Sequence, residues 1–465
     1  MQFRVEKDSL GDVQVPADAY WGSQAERSRQ LFQISGLTEH PKMVEAYITL
    51  KKACARANTD LGLLDKEIGE AIIRAADEIL EGQLRDQFPV DVFHMGAGTS
   101  FNMNCNEVLA NRAEEILGGK KGESKMVSPN DHANYGQSTN DTFPTAMRIM
   151  ARTMMSDLFV AVDSLEEALV AKGKEFDKVL KSGRTHLQDA VPIRLGQEFA
   201  AYAAAVRRSR KWLKHAASEL EELGIGGSAV GTGLNTHPKY RSMVVGYLGE
   251  YTDINFKASK DMREAMQSQL CMSALSSGLR VFCLELTRIT NDLRLLSSGP
   301  LTGLAEITLP AVQPGSSIMP GKVNPSMAEN MNQVLYQVLG QCQSLDYCVQ
   351  AGQLELNVMM PSMAFSAQFS LQILTNALLT YTANCIVGIT ANEETCRRYA
   401  ETSPSLATAL NVFIGYKKAA EVVKIALAEG KTIPEVVRDQ GLLDEETLKK
   451  ALDPANLTEP GIPGQ

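Results

Sequence analysis

Five stretches of long helical periodicity constrain this chain more than any other feature. Apolar residues recur every three or four positions over residues 146–180, 194–222, 262–298, 326–351 and 362–387, whereas an ordinary globular helix runs about 11–12 residues. The spacing predicts an all-α fold built on an elongated central bundle of long helices. Small-residue runs such as Ala200-Ala201-Tyr202-Ala203-Ala204-Ala205-Val206 let neighbouring helices approach closely. One layer of five such helices would leave wide apolar stripes uncovered, so bundles from several copies of the chain are expected to associate.

A chain of 465 residues is long for one core. Two smaller, mostly helical domains are expected to flank the bundle, giving residues 1–140, 141–390 and 391–465. The first 40 residues, punctuated by Asp8, Gly11, Pro16 and Gly22, read as a loop-rich arm. Helices follow from Pro41 to about Leu61, from Asp65 to Leu80 with Asp65 as the cap, and from about Asn106 to Leu117. After Thr390 the elements shorten to 394–400, 407–410, 417–428, 433–440 and 444–452, with turns at Pro404, Gly415 and Gly430. The Pro/Gly-rich last residues read as a tail.

Composition excludes some partners. A net charge of −9 argues against nucleic acid, whose phosphates need a basic face. The eight cysteines, at 54, 105, 271, 283, 342, 348, 385 and 396, form no CxxC pair and no zinc-type spacing. No secretory apolar region follows Met1-Gln2-Phe3-Arg4, so a cytoplasmic interior with reduced, buried thiols is expected. No run approaches the ~18 apolar residues of a membrane span. Gly224–Asn235 is glycine-rich but lacks a Gly-Lys-Ser/Thr ending and a preceding strand, so neither nucleotide fingerprint is met. It reads as a helix-to-helix connection, and neither a metal nor a cofactor is expected.

The chemistry concentrates in Gly315-Ser316-Ser317-Ile318-Met319-Pro320-Gly321-Lys322-Val323-Asn324-Pro325. Two glycines and two prolines forbid a regular element, while two hydroxyls, a cation and an amide offer donors that suit a carboxylate or phosphate. Three further segments are polar in the same way. Gly96-Ala97-Gly98-Thr99 is a helix-entry turn; Gln137-Ser138-Thr139-Asn140-Asp141 could cap a helix, whose N–H groups also attract anions; Gly183-Arg184-Thr185-His186 places a histidine beside a threonine. By chemistry alone His186 is the first candidate for a base, because serine is a poor one in water.

Taken in order, these segments resemble the fumarase/aspartase superfamily, whose members add or remove a group across the double bond of fumarate. The resemblance spans essentially the whole chain. It implies a homotetramer with a twenty-helix core and active sites shared by three subunits, acting on a small dicarboxylate or amino acid. It implies that Thr99, Ser138, Thr139, Asn140, Thr185, Ser317, Lys322 and Asn324 bind substrate. It makes Ser316 the base, ionised by backbone N–H groups and the cation of Lys322, and it pairs His186 with the carboxylate seven residues after the loop lysine, Glu329. The expected reaction is β-elimination through an aci-carboxylate dianion, stabilised by these neutral and cationic donors.

Three positions resemble the members that act on aspartate. Fumarases typically have Ser at Ala97, His-Pro-Asn-Asp at Ser128–Asp131 and Ser-Ser-Asn at Ser138–Asn140. His186 and Gly321 are shared by fumarases and some aspartases, and Met360 stands where aspartases carry Glu. The expectation is therefore reversible deamination of L-aspartate to fumarate and ammonia, with hydration of fumarate to malate as the alternative.

Overall fold

The computed structural model describes residues 2–463. In chain order it contains β1 (Phe3–Asp8), β2 (Gly11–Pro16), α1 (Ser23–Leu31), α2 (Pro41–Asp60), α3 (Lys66–Leu80), α4 (Thr99–Ile116), α5 (Thr139–Glu175), β3 (Leu180–Thr185), β4 (Gln188–Arg194) and α6 (Leu195–Glu219). There follow β5 (Glu222–Leu223), α7 (Tyr240–Thr252), β6 (Lys257–Ala258), α8 (Met262–Gln267), α9 (Leu270–Leu296), β7 (Ile307–Thr308), α10 (Ser326–Gln350), α11 (Met360–Asn384), β8 (Thr390–Ala391) and α12 (Glu393–Thr402). Five shorter helices complete the chain: α13 (Asn411–Ile414), α14 (Tyr416–Glu429), α15 (Ile433–Asp439), α16 (Glu445–Ala451) and α17 (Pro454–Leu457). The fold is all-α; its strands form two-stranded sheets only.

Long helices stand where periodicity puts them, with shifted ends. α5 runs 37 residues and starts at Thr139, with Pro144 inside its second turn. The stretch read as one helix over 262–298 is two, α8 and α9, parted at Ser268 and Gln269. α4 begins at Thr99, not near Asn106. Its early asparagines, poor helix formers, are buried and bonded: Asn104 Nδ2 donates to Gln87 O at 2.9 Å and Asn106 Nδ2 to Asn134 Oδ1 at 3.2 Å. Asp65 caps α3 as expected, accepting from the N–H groups of Glu67 and Ile68.

Two readings need correction, the loop-rich arm and the absence of a membrane-length apolar run. The arm is not loop: Phe3–Asp8 and Gly11–Pro16 pair as a hairpin in the register Asp8↔Gly11, and α1 follows. The Gly183–Pro192 interval is also a hairpin, β3 against β4. α9 does meet the length and apolarity of a membrane span, although half of its apolar window is buried inside the fold.

Contacts divide the chain into two units. One comprises residues 1–160, 210–283 and 336–375; the other comprises 161–209, 284–335 and 376–465. In the first unit, α2 and α4 bury Tyr47, Ile48, Leu50, Phe101 and Val108, and Phe143 of α5 meets Tyr47 edge-on. In the second, α14, α15 and α16 wrap a core of Leu410, Val422, Val436, Val437 and Leu448. The C-terminal segment is no loose tail: Arg194 bonds Thr458 and Glu459, and Gln197 Nε2 donates to Thr458 O at 2.8 Å. Gly464 and Gln465 lie outside the described residues. Among the described residues the eight cysteines form no disulfide, and seven of them are buried.

Candidate active site

The sequence candidates fall into two groups, one in each unit. Thr99, Ser138, Thr139 and Asn140 belong to the first. Thr99 opens α4 after a tight turn in which Ala97 N donates to Val358 O at 2.8 Å and adopts φ +62°. Gly98, at φ +91°, has its α-carbon against the Phe143 ring, which any Cβ would overlap. Only glycine meets both demands. The turn therefore delivers the Thr99 hydroxyl and the first N–H groups of an 18-residue helix to one place, a setting that favours an anion.

Ser138 precedes α5, and its Oγ accepts from Asn140 N at 3.2 Å. Capping and anion attraction coexist here. The Thr139 hydroxyl accepts from Asn102 Nδ2 at 3.0 Å, and Asn140 Nδ2 donates to Ala229 O at 2.9 Å. Behind the segment lies a buried polar network. Lys51, wholly buried, donates from Nζ to Asn134 Oδ1 at 3.0 Å and to Gln137 Oε1 at 2.8 Å; burial pulls its pKa down to about 8. Asp141, also wholly buried, accepts the backbone N–H groups of Ser138, Gly226 and Ser228, each at 3.0 Å. Burial raises its carboxyl to about 6, against the lowering by those donors. Through Asp141 and Asn140 the glycine-rich 224–235 connection is fastened to the candidate segment. Reasoning from sequence passed over Lys51, Asn102 and Asp141 as functional residues; the polar spacing of Asn102, Asn104 and Asn106 inside an otherwise apolar stretch was the available signal.

The second group comprises Thr185, His186, Ser316, Ser317, Lys322, Asn324 and Glu329. Thr185 pairs with Gln188 across a two-residue turn, and His186 and Leu187 both have positive φ, 56° and 58°. Paired positive φ values make a twisted tight hairpin, and a histidine seldom occupies such a position. The tip is exposed, Leu187 to 70%. Thr185 also lines a cavity of about 570 Å³ with Arg184, Gln197, Glu198 and Thr458.

The 315–325 loop closes on itself. Gly315 N donates to Lys322 O at 2.8 Å, and Asn324 Nδ2 donates to Gly315 O at 2.6 Å. Ser316 sits inside the turn, and its Oγ accepts two backbone N–H groups, from Ile318 at 3.2 Å and Met319 at 2.8 Å. Donors aimed at a hydroxyl oxygen stabilise its anion. Ser317 and Lys322 are exposed, as are Ile318, Met319 and Val323. Glu329 lies in the first turn of α10. Within one chain and among the described residues, His186 and Glu329 form no ion pair, since the histidine stands at a projecting tip. No cluster of three or more His, Cys, Asp or Glu side chains suited to a metal occurs among the described residues.

Comparison with known proteins agrees with these segments. Residues 11–340 match a family model described as Lyase, and residues 406–459 match one described as Fumarase C C-terminus. An aspartate ammonia-lyase from Bacillus sp is 46% identical over 99% of this chain and 99% of its own. A class II fumarate hydratase from Halobacterium salinarum is 48% identical over 99% of this chain and 98% of its own. Among solved structures, the fumarate lyase:delta crystallin from Brucella melitensis bound to cobalt superposes with a TM-score of 0.96 at 45% identity, covering 98% of this chain and all of that one. The recombinant class II fumarase from Schistosoma mansoni gives 0.94 at 34% identity, over 98% of this chain and 99% of that one. With both family models matched and similarity extending end to end, this chain belongs to the fumarase/aspartase family of lyases.

Proposed function

We propose that the protein is an aspartate ammonia-lyase, converting L-aspartate reversibly to fumarate and ammonia. The observation that carries the chemistry is the pair of backbone N–H groups on Ser316 Oγ. In this reading the Ser316 alkoxide takes the proton from Cβ, and the electron pair passes into the adjacent carboxylate as an aci-carboxylate dianion. Collapse of that dianion forms the double bond and releases the α-amino group as ammonia. Thr99, Ser138, Thr139, Asn140, Thr185, Lys322 and Asn324 supply donors to the two carboxylates, and Ser317 borders the base. In this reading the loop closes over bound substrate, which excludes water and strengthens each of these contacts.

The outward hairpin tip and the unmade His186–Glu329 contact support active sites completed by other copies of the chain. Exposed Val160, Trp212, Leu284, Tyr336 and Tyr347 on the long helices support their burial in a homotetramer. A molar mass of four chains by light scattering is the expected result.

A second reading, class II fumarate hydratase, is favoured by the Halobacterium salinarum relative. Ala97 and the Ser128–Asp131 and Ser138–Asn140 segments favour aspartate. Ultraviolet absorbance of fumarate decides between them: formation from L-aspartate and ammonia-dependent consumption are expected, and formation from L-malate alone overturns the assignment.

A further inference from the structure

Glu306 is wholly buried, where a carboxylate is rarely found without charged partners. Arg184 Nη1 donates to both of its oxygens at 2.9 Å, and Lys181 Nζ lies 3.1 Å from Oε2. Lys181, 1% exposed, also donates to Glu198 Oε1 at 2.7 Å. Two cations and two carboxylates thus balance, Lys181 and Glu306 buried and Arg184 and Glu198 at the cavity wall, with the Arg184 guanidinium lying 5.5 Å from the Tyr399 ring of α12.

The placement of this cluster gives it a consequence. Both cations stand on β3, and Arg184 immediately precedes Thr185 and His186. Glu306 itself is fixed by its backbone: its N–H donates to Leu296 O at 2.9 Å, and its carbonyl accepts from Asn392 N at 2.9 Å and Cys396 Sγ at 3.4 Å. On the opposite strand Ser405 Oγ donates to Asp189 O at 3.0 Å. Past Arg184 the hairpin is exposed, so the direction of its tip is set at its base.

We propose that Glu306 is a positioning residue for the reaction, holding the β3–β4 hairpin at the angle that presents Thr185 and His186 to the substrate. The inference rests on the reading that Thr185 binds substrate and that His186 belongs to the catalytic group. A neutral side chain at 306 leaves buried Lys181 with Glu198 alone and takes the two-oxygen contact from half-buried Arg184, and the base of the hairpin shifts until both cations find water or another acceptor. A displacement near 1 Å in a positioned group costs up to about 100-fold in rate.

The test is a cycle of purified variants assayed with L-aspartate: Glu306→Gln, the double variant T185A/H186A, and all three changes combined. Expected is a loss of roughly 100-fold in kcat/KM for E306Q, with KM raised, and a further loss of under about 3-fold when the change is made in T185A/H186A. Should E306Q fail to fold, E306Q/K181M restores the charge balance and R184K keeps the charge but loses the two-oxygen contact; both are expected to raise KM at wild-type melting temperature. Full additivity of E306Q with T185A/H186A, or unchanged kcat and KM in folded E306Q, overturns the proposal. Wild-type kinetics in T185A/H186A itself would instead overturn the binding reading beneath it.

Discussion

The Ser138–Asn140 segment and the Ser316 loop carry the same kinds of side chain and are held in opposite ways. The first is backed by the buried side chains of Lys51, Asn102 and Asp141 and by half-buried Asn134, which fasten it from behind. The second is held by its own backbone, Gly315 to Lys322, with Ile318 83% exposed at its crest. A site that only binds carboxylates is best preformed, because donors fixed beforehand lose no freedom on binding. A site that must create an anion and exclude water gains from a segment able to move. The contrast fits the proposed function, in which the braced region binds and the self-closed one transfers the proton.

The sharpest way to break that contrast is Ser316→Ala, expected to lower kcat by about 10³-fold with KM changed little, while circular dichroism stays that of the parent. Retained turnover would remove the loop from the chemistry. Next in size is Gly98→Ala in the braced region. Overlap with Phe143 and a positive φ together are expected to cost about 3 kcal/mol, read as a fall in Tm, whereas Gly321→Ala at φ +76° in open space is expected to cost no more than about 1 kcal/mol.

The buried charge of Asp141 is expected to appear as a pH effect. Its folded pKa, about 6, lies above the ordinary 3.8. Between those values the folded state holds the proton more tightly, so the stability it contributes is full below pH 4 and lost as pH rises through 6. The shift corresponds to about 3 kcal/mol. Urea unfolding is expected to show a larger loss between pH 4.5 and 7 in the parent than in Asp141→Asn, where other raised carboxyls such as Glu107 still contribute. Asn102→Ala takes its donor from the buried Thr139 hydroxyl, and is expected to cost about 2 kcal/mol and raise KM. Smallest is Glu459→Ala: its partner Arg194 is partly exposed, so a change of at most about 1 kcal/mol in Tm-derived stability is expected.

How far the fold was legible follows from which forces are local. Helical period along 326–351 and 362–387 survives in α10 (Ser326–Gln350) and, with its ends shifted, in α11 (Met360–Asn384), since amphipathic spacing is written in consecutive side chains. The Asp65 cap was legible for the same reason. The hairpins at Phe3–Pro16 and Leu180–Arg194 were not, because their strands are short and the turn at His186 and Leu187 uses residues that do not advertise positive φ. The early start of α4 was hidden as well, its asparagines being satisfied by Gln87 and Asn134, far off in sequence.

By itself, the order of side chains determined a helical lyase of this family and its polar segments, for motif and period are properties of neighbours. Which of those polar groups are braced, which are exposed, and where buried charges such as Lys51, Asp141 and Glu306 find partners was decided only by tertiary structure. Desolvation and hydrogen bonding act between residues that the chain brings together from far apart.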